Sequence, residues 1–161
     1  MKLEKAIFAC GCFWGAQYQF EHAKGVVRST VGYIGGHKEH PAYEEVKAHT
    51  TGHAEATLVE FDAEQTSFTE LCKLFFEIHD PAQTDGQGPD IGPQYRSEIF
   101  YLNEAQKQQA EAVITLLREK GYEVNTRLTP ATVFWPAEDY HQHYYDKTGG
   151  EPYCHIRVRK F

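Results

Sequence analysis

The spacing of apolar positions changes several times along the chain, and each change marks a new element. Residues 2–9 and 26–33 alternate β-branched or aromatic positions with polar ones and predict strands, the second ended by Gly35-Gly36. Between them the aromatic-rich run 12–24 predicts a helix that Gly25 stops. A polar, His-rich stretch with a short helical piece at 43–49 leads to a third strand at 54–61. Ser67 and Glu70 then form a capping box, and Phe68, Leu71, Cys72, Phe75 and Ile78 share one helical face. The Gly- and Pro-rich stretch 79–94 reads as a loop, of a length that in compact domains usually carries function. Residues 97–102 predict a fourth strand. Asn103 with Gln106 opens a further helix, with Ala110, Val113, Ile114 and Leu117 inward and Gly121 at its end. A strand at 126–135 and a helix at 137–147 complete the pattern.

The element order is β-α-β-β-α-β followed by α-β-α. The expected fold class is therefore α+β: a ferredoxin-like core, a two-layer sandwich with helices on one face, plus C-terminal additions and long loops. A single domain over 1–161 is expected, with 148–161 a mobile C-terminal segment after Thr148-Gly149-Gly150.

Composition narrows the function classes. With 41% hydrophobic and 24% charged residues, the chain reads as an ordinary globular protein. A net charge of -7 argues against nucleic-acid binding, which needs clustered Lys and Arg. There is no apolar run long enough for a membrane span, and the N-terminus lacks a signal-peptide pattern, so a cytoplasmic, reducing location is expected. Nothing marks a coiled coil, and a monomer is expected. In that setting the four cysteines, Cys10, Cys12, Cys72 and Cys154, are catalytic, metal-binding or buried rather than a disulfide framework.

Cys12 stands out because the first strand turns there into the first helix. Thiolate is the reactive form of cysteine, and the free N–H groups of a helix N-terminus favour it. Gly11 and Gly15 leave room for close approach, and Phe13 and Trp14 set apolar surface beside the sulfur. On spacing alone a buried, inert thiol is an equal alternative. Cys72, on an apolar helical face, reads as inert core, and Cys10 as structural. Glu55 falls on the same side of its strand as Val59 and Phe61. Facing the core it would be desolvated and hold a proton; at a strand end it could equally point to solvent.

Gly11-Cys12-Phe13-Trp14-Gly15 resembles the signature of the A-type methionine sulfoxide reductases, and the resemblance continues. Gly32-Tyr33-Ile34-Gly35-Gly36, Pro41-Ala42-Tyr43, Thr51-Gly52-His53-Ala54-Glu55, His79-Asp80-Pro81, 90–97 and 137–142 occur in the family's order along nearly the whole chain. The resemblance implies reduction of methionine S-sulfoxide, free or in proteins, without a bound cofactor and with electrons from thioredoxin or dithiothreitol. It implies Cys12 as nucleophile and Glu55 as acid. Tyr43 and Tyr95, supported by Asp90, would bind the sulfoxide oxygen, and Phe13 and Trp14 would cage the methyl group. Attack would leave a sulfenic acid on Cys12, which condenses readily with a second thiol. The resemblance and the Gly/Pro-rich surroundings both point to Cys154 as that resolving thiol. The loop departs from the pattern: Asp85-Gly86-Gln87 stands where many members carry Asn-Arg-Gln, and Pro89 and Pro93 flank Asp90.

Two other classes compete. Nine histidines, with His37 near His40, His49 near His53 and Cys10 near Cys12, raise zinc binding, although the spacings form no recognised ligand knuckles. The other is a catalytically silent peptide-binding domain that keeps the aromatic pocket.

Overall fold

The computed structural model describes residues 2–149, 155 and 157–161. Strand β1 (Leu3–Cys10) leads through Gly11 into helix α1 (Phe13–Glu21), and β2 (Val26–Ile34), α2 (Tyr43–Lys47) and β3 (Ala54–Asp62) follow. Helix α3 (Phe68–Glu77) starts at the expected cap, where Ser67 Oγ accepts from the Glu70 amide at 3.1 Å. Past the two-residue ribbon β4 (Gly86–Gln87) and β5 (Asp90–Ile91) come β6 (Ser97–Tyr101) and α4 (Glu104–Glu119), the latter capped by Asn103. The described elements close with β7 (Arg127–Pro130), β8 (Trp135–Pro136) and α5 (Tyr144–Thr148).

The six-stranded sheet has the order β7-β6-β1-β3-β2-β8. Its inner strands, β6-β1-β3-β2, are mutually antiparallel, which is the predicted split β-α-β arrangement; β7 adds in parallel beside β6 and β8 antiparallel beside β2. The period-two alternation of β1 divides the core. Ala6, Phe8 and Cys10 face α1, α3 and α4 together with Val59 and Phe61, whereas Ile7 and Ala9 join Ile34, Ala54, Ala56 and Phe100 on the back. Phe8 anchors the helical side, stacking on Phe20, Phe68 and Phe75. Cys72 is buried there, as its helical spacing predicts.

Two expectations need correction. The strand expected over 126–135 is two short strands on opposite edges of the sheet. Pro130 and Pro136 offer no N–H to continue a ladder, and Ala131 and Phe134 between them pack onto the back face. The helix expected over 137–147 is a 3-10 turn at Asp139–His141 followed by α5. Gln142 breaks it: its amide accepts from the Val31 N–H at 2.9 Å and donates to the Val31 carbonyl at 2.9 Å, standing in for a strand neighbour. His143 then takes a left-handed conformation (φ 55°) while its N–H donates to Gln17 Oε1 at 2.6 Å. The 79–94 stretch is the expected loop, held by its own contacts: the Gln87 side chain accepts from the Asp80 N–H and donates to the Asp80 carbonyl. Among the described residues no helix is long and apolar enough to cross a membrane.

Candidate active site

Cys12 is the N-cap residue of α1. Gly11 makes the turn possible with φ 100°, and the sulfur-bearing residue retains 8% of its accessible surface. The first free amide of the helix, that of Phe13, donates to Glu55 Oε1 at 3.3 Å. One bond therefore joins the helix that Cys12 caps to the expected acid.

Glu55 pairs with Tyr33 across β3 and β2 and points to the helical side, the first of the two alternatives its spacing allowed. Burial pushes its carboxyl well above the ordinary value. The charge of Cys12 adds to the rise, the Phe13 N–H opposes it, and Asp90 raises it further. Oε2 is buried and has no hydrogen-bond partner among the described residues. A carboxyl kept neutral in this way can donate from that oxygen.

The second carboxylate nearby behaves oppositely. Glu138 accepts from Tyr33 Oη at 2.9 Å through Oε1 and from the Tyr43 N–H at 3.1 Å through Oε2. Burial opposes its ionisation, but these bonds prevail and hold its carboxyl below the usual range. Glu138 is held toward its ionised form, and Glu55 toward its neutral form. Opposed shifts of this kind separate the roles of two carboxyls.

The aromatic residues close around this centre. Phe13 lies 5.7 Å from Tyr33 and 6.4 Å from Tyr43, ring centre to ring centre. Trp14 stacks on Tyr144 at 3.9 Å, and its Nε1–H donates to His141 Nδ1 at 3.0 Å. Because indole only donates, that bond assigns the His141 proton to Nε2. Burial lowers the His141 pKa, which keeps the ring neutral. Tyr43 and Tyr95 are half-buried. Burial, then the Glu55 charge, raises both phenols, Tyr43 to about 12, so each stays a donor at neutral pH. Asp90 sits on β5 and is close enough to raise both Glu55 and Tyr95.

The structure thus brings together Cys12, Phe13, Trp14, Tyr43, Glu55, Asp90 and Tyr95. Cys154 lies outside the described residues. The sequence reading gave no role to Tyr33, Glu138, His141, Tyr144 or His155. Tyr33, Glu138 and His141 fall in blocks that carried the resemblance; Tyr144 and His155 had no signal of their own. His155 is buried beneath the nucleophile's turn, its Nε2 2.7 Å from the Cys10 carbonyl. Burial works against its protonation, yet the bonds to Cys10 outweigh this and raise its pKa. A methyl at Gly15 would lie 2.4 Å from His155 Nδ1. Gly15→Ala is therefore expected to lower stability by about 1–2 kcal/mol, the overlap outweighing the helix propensity gained. A drop in thermal midpoint measures it, and an unchanged midpoint would refute the contact.

The His37/His40, His49/His53 and Cys10/Cys12 pairs do not converge. His53 accepts the Gly36 N–H at Nδ1 and lies 2.6 Å from the Lys38 carbonyl at Nε2. Among the described residues the potential metal ligands that meet in a group of three are Glu21, His143 and Asp146, in none of those pairs.

A thiol at a helix start, a protonatable carboxyl and an aromatic enclosure are the parts of a site for thiol-based redox chemistry. Residues 4–161 match the family model of the peptide methionine sulfoxide reductases, and the chain belongs to that family. It is 46% identical to the peptide methionine sulfoxide reductase MsrA of Acinetobacter baumannii over 97% of this chain and 90% of that one. The reduced form of Mxr1 from Saccharomyces cerevisiae superposes with a TM-score of 0.89 at 34% identity, covering 97% and 92% of the two chains. Mxr1 in complex with Trx2 shares the fold, with a TM-score of 0.64 at 23% identity over 99% and 91%. The reaction is that of the A-type family, reduction of methionine sulfoxide to methionine.

Proposed function

We propose that Cys12 attacks the sulfoxide sulfur of an S-configured methionine sulfoxide while Glu55 protonates the departing oxygen. The observation that carries this reading is the buried, unpartnered Oε2 of Glu55, on a carboxyl whose other oxygen binds the first amide after Cys12. Sulfoxide oxygen bears partial negative charge, and the phenols of Tyr43 and Tyr95 offer it two further donors that do not ionise at neutral pH. Phe13 and Trp14 take the methyl group, and the Trp14 indole is fixed on both sides by Tyr144 and His141. Asp90 supports Tyr95 and the acid. Glu138 and Tyr33 brace Tyr43 from behind and do not touch the substrate.

The Cys12 Sγ–sulfur bond forms as the S–O bond breaks, and the oxygen leaves as water with the protons of Glu55 and the Cys12 thiol. Water then attacks Cys12 Sγ, which breaks the S–S bond, releases methionine and leaves Cys12 as sulfenic acid. Cys154 is the resolving thiol in this reading, and a dithiol of the thioredoxin class then reduces the disulfide, as dithiothreitol does in vitro. Trx2 is such a partner for Mxr1. No step in this sequence calls for a metal or a bound cofactor. The substrate is methionine sulfoxide, free or in oxidised proteins, and the protein works in the cytoplasm as a single-domain monomer.

Cys154→Ser tests the second half. Without external reductant, wild type and variant are each expected to form about one methionine per enzyme, wild type ending as a disulfide and the variant as sulfenic acid. Dimedone labelling and thiol titration read the two end states. A disulfide from Cys12 to Cys10 or Cys72 would remove Cys154 from the cycle.

A further inference from the structure

The chemistry above leaves the buried ring of His155 without a role. His155 is 0% exposed, and its ring fills the space left by Gly15 and reaches to within van der Waals contact of Gly11. A methyl at Gly11 would meet Gln87 at 2.7 Å and His155 Nε2 at 3.6 Å, and one at Gly15 would meet His155 Nδ1 at 2.4 Å. Nε2–H donates to the Cys10 carbonyl at 2.7 Å, and the His155 carbonyl accepts from Gln19 Nε2 of α1 at 2.5 Å. His155 is thus fastened to the strand before the nucleophile and to the helix after it.

The residues beyond it bind elsewhere. Arg157 donates to Glu77 Oε1 at 3.0 and 2.8 Å, the Val158 N–H to the Glu77 carbonyl at 2.7 Å, and the Lys160 N–H to Glu77 Oε2 at 2.9 Å. These bonds dock 157–160 on the end of α3. In the sequence His155 directly follows Cys154.

We infer that His155 is a positioning residue for disulfide formation, tying the residue next to Cys154 to the turn that carries Cys12. The inference rests on the reading of Cys154 as resolving thiol. In the step concerned, the Cys154 sulfur attacks the sulfenic sulfur of Cys12. The S–S bond forms as the S–O bond breaks, and the hydroxyl leaves as water with the proton that the Cys154 thiol gave up. Anchoring the residue that follows Cys154 at the Cys12 turn shortens the search by which the two sulfurs meet, and small misplacements in such encounters cost large factors in rate. Histidine suits the place because its ring is thin enough to lie against two glycines and still carries an N–H for a buried carbonyl.

The test uses the full chain with methionine sulfoxide and no external reductant, followed by rapid quench. His155→Phe keeps a flat ring and removes the N–H; His155→Gln restores a donor. For His155→Phe the first methionine is expected at a rate within about twofold of wild type, while disulfide formation slows about tenfold or more and dimedone-reactive sulfenic acid accumulates. His155→Gln should recover a large part of the disulfide rate, which a merely space-filling role would not produce. Disulfide formation at the wild-type rate in His155→Phe overturns the inference, as does an equal slowing of the first methionine. Cys154→Ser runs alongside. If it accumulates sulfenic acid but His155→Phe does not, only the role of His155 falls; if it forms a disulfide at the wild-type rate, both readings fall. Should circular dichroism show His155→Phe unfolded, His155→Asn is read by the same criteria.

Discussion

Cys12→Ser is expected to lose at least about 10⁴-fold in kcat/KM for methionine sulfoxide with dithiothreitol, the scale set by removing a catalytic nucleophile. The hydroxyl is nearly the size of the thiol, and position 12 is an N-cap, where serine is a favoured residue. The fold should therefore survive, and thermal melting by circular dichroism checks that it does. What disappears is the thiol: an alcohol at the same helix terminus is a far weaker nucleophile at neutral pH and cannot form a sulfenic acid. A folded Cys12→Ser protein with more than trace activity would remove Cys12 from the mechanism. Measuring wild type after treatment with a chelator addresses the zinc alternative, since retained turnover excludes a metal requirement.

Glu55→Gln is the other large effect. General acid catalysis contributes about 10²–10⁴-fold, and a loss in that range is expected for the chemical step, with far less change in substrate binding. The pH dependence has a definite sign. Burial, followed by the Cys12 charge, raises the carboxyl, so the active protonated form dominates below the raised value and activity falls as pH climbs through it. Glu55→Gln should lack that alkaline limb. A single-turnover pH profile with the limb intact in the variant would show that another group supplies the proton.

Stability follows the same proton. Above the unfolded value of 4.5 the native state binds more protons at Glu55 than the unfolded chain does. Its contribution is therefore fully present below that pH and is lost as pH rises toward the folded value. Glu55→Gln removes the titrating group, so the variant should become relatively more stable than wild type as pH increases. Denaturant titrations at two pH values read the crossing. A buried carboxyl that weakens the fold at high pH is the pattern expected of a functional acid.

Much of this was legible in the chain because local rules act on short stretches. The period-two alternation of β1 and β3, the Ser67 and Asn103 caps and the apolar face of α3 each follow from neighbouring residues and persist in the structure. The C-terminal third was misread for the same reason. Residues 126–135 have strand-like spacing and 137–147 helix-like composition. Yet Gln142 prefers the open edge of β2 over a helical turn, and the segment around Pro130 and Pro136 serves two edges of one sheet. A side chain that replaces a distant backbone partner leaves no trace in its own sequence window.

The sequence by itself determined which groups are available: a thiol placed to start a helix, a glutamate on the inward phase of a strand, and aromatic rings beside both. It left open whether Cys12 was inert and whether Glu55 faced solvent, because pattern fixes phase and not surroundings. Only the tertiary structure decided that Glu55 is desolvated beside Cys12 while Glu138 stays charged on Tyr33 and Tyr43. It alone placed His141 on the Trp14 indole and His155 under Gly11 and Gly15, across 127 and 145 residues of chain between bonded partners. The reason is physical: a pKa or a contact depends on what lies within a few ångströms, and folding brings those neighbours from parts of the chain that no local pattern connects.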